Sequence, residues 1–245
     1  MLSTFSSRLS DFRFQFSVFG LRPWCKLLHH NWDISPREAV ALQRRLAAAV
    51  RIEPLAGPVR TVAGTDCAMS RDGKSILAAA VLCDARTMAV LESAWVSRPC
   101  TFPYVPGLLS FREAPATIEA VEKLSRRPDL LMCDGQGLAH PRRIGLACHV
   151  GLWLDIPTIG AAKSLLCGEH REPGARRGCR AALRHKGETV GLALRTRDGV
   201  KCVYVSVGHR ITLSEAARWT LRAAKFHRLP EPSRQAHLYL KTVGL

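Results

Sequence analysis

Two aspartates stand where a carboxylate is costly. Asp66 ends the run Thr61-Val62-Ala63-Gly64-Thr65, a stretch that otherwise suits a buried strand. Asp134 directly follows Leu130-Leu131-Met132-Cys133, long enough for one buried strand and too short for a helix. An isolated carboxylate in such a run is expensive unless it meets a cation or a basic partner. Two of them on neighbouring strands can converge on one Mg²⁺, a hard cation that takes oxygen ligands. The plainer alternative is that either acid caps a turn or pairs with an arginine. Glu113, in Phe-Arg-Glu after a Pro/Gly loop, is a third carboxylate able to hold a second metal or a water, although acids are also favoured in a first helical turn by the dipole alone. Lys163 ends Pro-Thr-Ile-Gly-Ala-Ala-Lys and His209 ends Val-Ser-Val-Gly-His, each just past an apolar run. Lys163 suits neutralisation of charge building on a phosphate, and His209 suits orienting or deprotonating water. Taken singly, a surface lysine and a satisfied histidine are the better explanations of them. The loop Pro103-Tyr104-Val105-Pro106-Gly107 is stiffened by two prolines and presents an aromatic and an apolar side chain, the form of a wedge that parts base stacks, or of a packed surface turn.

The elements that would position these groups can be followed along the chain. Ser35, Pro36 and Glu38 form a helix-start signature for a helix within Trp32 to Arg51, with Val40, Leu42, Leu46 and Val50 recurring along it. Three strands with short turns follow, Thr61 to Asp66, Ser75 to Asp84 and Met88 to Val96, as an antiparallel meander whose first strand can be central. A helix spans about Phe111 to Arg126. Then come the Asp134 strand, a helix after Pro141 and a short apolar stretch at Ile156 to Ile159. Residues 168–187 are basic and weakly patterned, expected as a surface excursion. Thr189 to Arg195 and Lys201 to Val207 make a hairpin, Leu213 to Phe226 a helix, and the tail Leu229 onward a return over the surface. The order βββ–α–β–α, with an acid on the first and fourth strands, fits an α/β, ribonuclease H-like mixed sheet flanked by helices in a single domain. In such sheets ligands gather beyond the carboxyl ends of the strands.

The totals point the same way. With 245 residues the chain is long enough for one α/β domain with a real core, and 36 Lys+Arg against 20 acids leave a net charge of +16, which favours a polyanionic partner, most simply nucleic acid. Nine cysteines carry no C-x-x-C pair, which argues against a zinc site; their odd number argues against a disulfide framework. Small buried hydrophobes in a reduced compartment fit them better, and no apolar run approaches the about 18 residues of a membrane span. A cytoplasmic location without membrane contact is expected. Residues 1–30 are expected as a poorly ordered N-terminal extension, Ser-, Phe- and Arg-rich in the manner of a transit peptide, and residues 31–245 as the catalytic domain.

The motifs Gly64–Asp66, Pro103–Glu113, Asp134–Gly151, Pro157–Lys163 and Val205–Leu213 follow one another in an order and spacing that resembles the endonuclease V family of inosine-directed nucleases. The resemblance runs from about Ser35 to the tail, including LPEPSRQAH. It implies a Mg²⁺ centre, in which Mn²⁺ can substitute, held by Asp66, Asp134 and Glu113, with Lys163 and His209 as supporting groups. It implies a strand-separating wedge of Tyr104, Val105, Pro106 and Gly107, and a pocket for the extruded hypoxanthine lined by Leu109, Gly137, His140 and Gly145. The implied reaction is hydrolysis, in DNA repair, of the second phosphodiester 3′ to deoxyinosine, leaving 3′-hydroxyl and 5′-phosphate ends. The expected partner is DNA containing deoxyinosine, acted on by a monomer. An inosine-specific endoribonuclease and a non-catalytic nucleic-acid binder on the same fold are the alternatives. The motifs do not choose between DNA and RNA, and the arginines of 168–187 receive no role.

Overall fold

A computed structural model of the protein describes residues 30–243. The expected N-terminal extension falls, apart from its last residue, outside the described residues. Eight strands join one mixed sheet in the order β3-β2-β1-β4-β5-β8-β7-β6. β1 (Thr61–Met69), β2 (Ser75–Asp84) and β3 (Val90–Pro99) form the antiparallel meander, and β1 is central because β4 (Leu130–Cys133) adds to it in parallel. β5 (Thr158–Ala162) continues in parallel beside β4, and β8 (Val203–His209) returns antiparallel beside β5. This is the expected ribonuclease H-like arrangement, extended by a three-stranded wing.

Side-chain alternation explains why the sheet is covered on both faces. In β2, Ile76, Ala78, Ala80 and Leu82 pack with α2 (Leu109–Glu122), while Leu77, Ala79, Val81 and Cys83 face α5 (Glu231–Thr242) through Ala236 and Leu240. α3 (Leu146–Leu154) shares the first face, and α4 (Leu213–Ala223) covers Val203, Val205 and Val207 on the second. α1 (Pro36–Ala47) opens with the Ser35–Glu38 capping box and lays Ala39, Leu42 and Leu46 against Leu108, Phe111 and Ile144. Eight cysteines among the described residues are free thiols. No helix among the described residues is long and apolar enough to cross a membrane.

Three expectations need correction. α2 begins at Leu109, so Glu113 lies in its second turn, beyond the first-turn dipole that would have explained it. Within 168–187, Arg180–His185 forms β6, the edge strand beyond β7 (Glu188–Leu194). Its polar outward residues hid it, as is usual for edges. The tail does not run over the surface: it forms α5, which seals β1 and β2. The approach is so close that a Cβ on Gly64 would lie 2.1 Å from the backbone of Pro232 and Ser233.

Candidate active site

Sheet register brings the two aspartates together. Thr65 is paired with Cys133 at the end of the parallel β1–β4 ladder, so Asp66 and Asp134 are the next residues on adjacent strands. Asp66 is pushed up to about 6, first by burial and then by the Asp134 charge. Glu113 approaches from α2. Burial first, then the charges of Asp66 and Asp134, push its carboxyl up to about 7. Three acids far apart in sequence therefore share one electrostatic neighbourhood.

Two basic groups answer them. Lys163, immediately after β5, forms an ion pair with Asp134. Burial works against its charge, but the bond to Asp134 and the field of Asp66 hold its ammonium above the usual lysine range. The second group was not anticipated. His237, on α5, places Nδ1 2.8 Å from Asp66 Oδ2. The signal for it lay in the tail: Pro232 at a helix start, then Ser233, Ala236 and Leu240 at helical spacing, put one face on the sheet and His237 at its margin.

A cavity of about 410 Å³ opens beside the carboxylates. Tyr104, Val105, Pro106, Gly107, Leu109, His140 and Gly145 all line it, together with Leu165 and Leu166. Tyr104 is 71% exposed at its mouth, with the Arg112 guanidinium 5.9 Å from its ring centre. The loop behind Tyr104 is pinned at one atom. Gly107, at φ +77, offers a carbonyl that accepts from Gln43 Nε2 (3.0 Å), His140 Nε2 (2.9 Å) and Arg142 Nη2 (2.7 Å). Because His140 Nδ1 accepts the Arg142 backbone N–H, its proton sits on Nε2. Burial keeps that ring neutral, with its pKa pushed down to about 4. Gln43 is a buried amide on an otherwise apolar helix face, a signal that sequence reasoning passed over.

Two expected site residues lie elsewhere. Gly137 does not line the cavity. Its N–H donates to Ser206 Oγ, and a Cβ there would fall 2.0 Å from Val207 O, so its role is close packing on β8. His209 sits at the far end of the sheet: β8 runs antiparallel to β5, so His209 pairs with Thr158 at the start of β5 while Lys163 follows its end. Its ring accepts the Arg51 N–H at Nδ1 and faces Asp155 at 3.5 Å, and burial pushes its pKa down to about 4.

Among the described residues, no three His, Cys, Asp or Glu side chains are gathered as a ready-made metal cage. The donor chemistry nonetheless fits a hard divalent ion: the candidate ligands are all carboxylate oxygens, and burial together with the neighbouring acids raises the proton affinity of Asp66 and Glu113. A ribonuclease H-like sheet with carboxylates adjoining at the end of its central parallel ladder suits metal-assisted hydrolysis of a phosphodiester.

The comparisons narrow that class. The sequence profile of Endonuclease V matches residues 44–238. The Endonuclease V of Roseiflexus castenholzii is 50% identical over 207 residues, covering 84% of this chain and 92% of its own. That of Geotalea uraniireducens is 54% identical over 195 residues, covering 79% and 82%. The crystal structure of the Streptomyces avermitilis Endonuclease V superposes with a TM-score of 0.82 at 42% identity, covering 86% of this chain and 94% of that one. The chain belongs to the Endonuclease V family and is an endonuclease.

Proposed function

We propose that this endonuclease hydrolyses, in a Mg²⁺-dependent reaction (Mn²⁺ substituting), the second phosphodiester bond 3′ to deoxyinosine in DNA, leaving 3′-hydroxyl and 5′-phosphate ends, in the repair of deaminated adenine. The observation that carries this reading is the placement of Asp66 and Asp134 one residue past the last β1–β4 pair, Thr65 with Cys133, with Glu113 and Lys163 beside them at a cavity of about 410 Å³. Asp66, Asp134 and Glu113 would hold the cation. When bound, it supplies Lewis-acid polarisation of the scissile phosphate and lowers the pKa of water. His237 fixes the Asp66 carboxylate. Lys163, beside Asp134, would offset charge building on the phosphate oxygens. Tyr104 to Gly107 form the wedge that stabilises the opened helix, and the cavity bounded by Leu109, His140 and Gly145 receives the flipped base. An inosine-containing DNA is the ligand in a crystal of the Ciona intestinalis Endonuclease V.

The test is end-mapped cleavage of matched inosine-DNA and inosine-RNA by the parent, Asp66→Ala and Asp134→Ala. Mg²⁺-dependent nicking of DNA by the parent, lost in both variants while strand binding persists, is expected. Unimpaired cutting by either variant overturns the assignment, and preferential cutting of RNA replaces the substrate.

A further inference from the structure

Among the described residues that line the cavity, Lys163 is the one lysine, yet it follows the last ladder pair of β5 and β8, Ala162 with Tyr204. Sheet hydrogen bonds therefore stop just before the residue whose placement matters most. Beyond that point the main chain is held by side chains. Arg228, in the loop between α4 and α5, donates from Nη2 to Lys163 O and to Cys202 O, both at 2.7 Å, and from Nε to Lys201 O at 3.0 Å. On the other side, Gln136 Nε2 donates to Ser164 O at 2.9 Å. Arg228 is itself located, because its carbonyl accepts from the hydroxyl of the fully buried Thr196 at 2.6 Å.

We propose that Arg228 is a positioning residue for the reaction: its planar guanidinium continues the β5–β8 ladder by one step and fixes the main chain from which Lys163 reaches Asp134. Arg228 is not itself part of the cavity lining and its side chain bonds neither carboxylate; it meets the lining only at the Lys163 carbonyl, so it acts through other groups. The same loop leads into α5, which carries His237 to Asp66. Arg228 thus joins the chain beyond β5, which supplies Lys163, to the start of β8, from a loop that leads into the helix supplying His237. The geometry requires arginine. A lysine ammonium keeps the charge but lacks the rigid fork that spans three carbonyls just beyond the ends of the two strands. Misplacement of a charged group by about 1 Å is enough to cost on the order of 100-fold in rate.

The inference rests on the role given to Lys163 above, so the experiment tests the two separately. Single-turnover cleavage of an inosine-containing DNA duplex at saturating protein is measured for the parent, Arg228→Lys, Arg228→Ala, Lys163→Met and the Arg228→Lys/Lys163→Met pair, with strand affinity measured in Ca²⁺ and melting curves alongside. Arg228→Lys is expected to lose on the order of 10–100-fold in rate with affinity within about 3-fold, and in the Lys163→Met background the same change is expected to cost less than about 3-fold. A merely structural role would give equal losses in both backgrounds, and that result overturns the proposal. So does full activity in Arg228→Lys, which would mean that charge alone suffices. Wild-type cleavage by Lys163→Met would instead overturn the role of Lys163. If Arg228→Ala melts below the assay temperature, the Arg228→Lys cycle carries the decision.

Discussion

Replacing Glu113 by glutamine should make the protein more stable and less active. Glu113 is partly buried on α2 and feels Asp66 and Asp134, and its carboxyl is pushed up to about 7 from an ordinary 4.5, burial being the largest cause. A carboxyl whose folded value lies above its unfolded one helps folding below the unfolded value and is a growing burden as pH rises through the folded value. At pH 8, without a divalent ion, the whole burden is present. Each unit is worth about 1.4 kcal/mol, so the span corresponds to about 3 kcal/mol, and screening at a partly exposed group trims it to on the order of 2 kcal/mol. Glutamine has nearly the same shape and no charge to bury. At about 2–4 °C per kcal/mol for a chain of this size, Glu113→Gln should melt roughly 4–8 °C higher.

Differential scanning calorimetry in EDTA at pH 8 and pH 5 separates this from a packing effect. At pH 5 the parent's Glu113 is already protonated, so the advantage of the variant should shrink to below about 1 kcal/mol. Millimolar Mg²⁺ at pH 8 should raise the parent's midpoint and close much of the gap, since an ion bound only by the folded state stabilises it. Equal midpoints at pH 8, or a gain that persists undiminished at pH 5, would refute the claim that mutual repulsion and burial of these acids strain the free site.

Other consequences can be checked with the same material. Burial pushes the rings of His140, His149 and His209 down to about 4, 3 and 4, so each favours the folded state above its unfolded value near 6.5 and loses that contribution as pH falls. Protonation of Asp66 and Glu113 offsets part of that loss in the same window, so denaturant midpoints should fall on balance between pH 6.5 and 4, and a net rise there would contradict the burial of these rings. Gly64→Ala should cost more than about 3 kcal/mol, because the new Cβ would sit 2.1 Å from the α5 backbone, and it should loosen His237 from Asp66. An unchanged urea midpoint for that variant would mean that α5 does not seal β1. Tyr104→Ala, at a 71% exposed position, should leave the melting point within about 1 °C while weakening binding to an inosine strand in a gel-shift or anisotropy titration. Equal affinity would remove the wedge.

What could be read in advance was whatever a local energetic conflict announces. Asp66 and Asp134 declare themselves because a carboxylate in a strand of Val, Ala, Leu and Met needs a reason, and the order of strands and helices then makes those strands neighbours. The meander and the first helix are legible for a related reason: turns at Asp72-Gly73 and Arg86-Thr87, and the Ser35–Glu38 box, state their geometry in a few adjacent residues. Elements whose burial depends on small side chains stay silent. α5 contacts the sheet through Ser233, Ala236 and Leu240, and the space they enter exists only because residue 64 has no side chain. No hydrophobic run marks such a contact.

The histidines show the same limit in its sharpest form. His209 and Lys163 both follow apolar runs, and nothing local distinguishes the two positions. What separates them is strand direction: β5 ends at the carboxylates and antiparallel β8 starts there, so the residue closing β8 is carried to the opposite edge, against Asp155. His237 follows no apolar run and arrives at Asp66 from the far end of the chain. Direction is a property of the assembled sheet, set by whether a connection reverses the chain or crosses over it. The position of a residue at the end of a strand is therefore fixed only when the polarity of that strand is known, and here the polarity of β8 carries His209 away from the carboxylates while α5 brings His237 to Asp66.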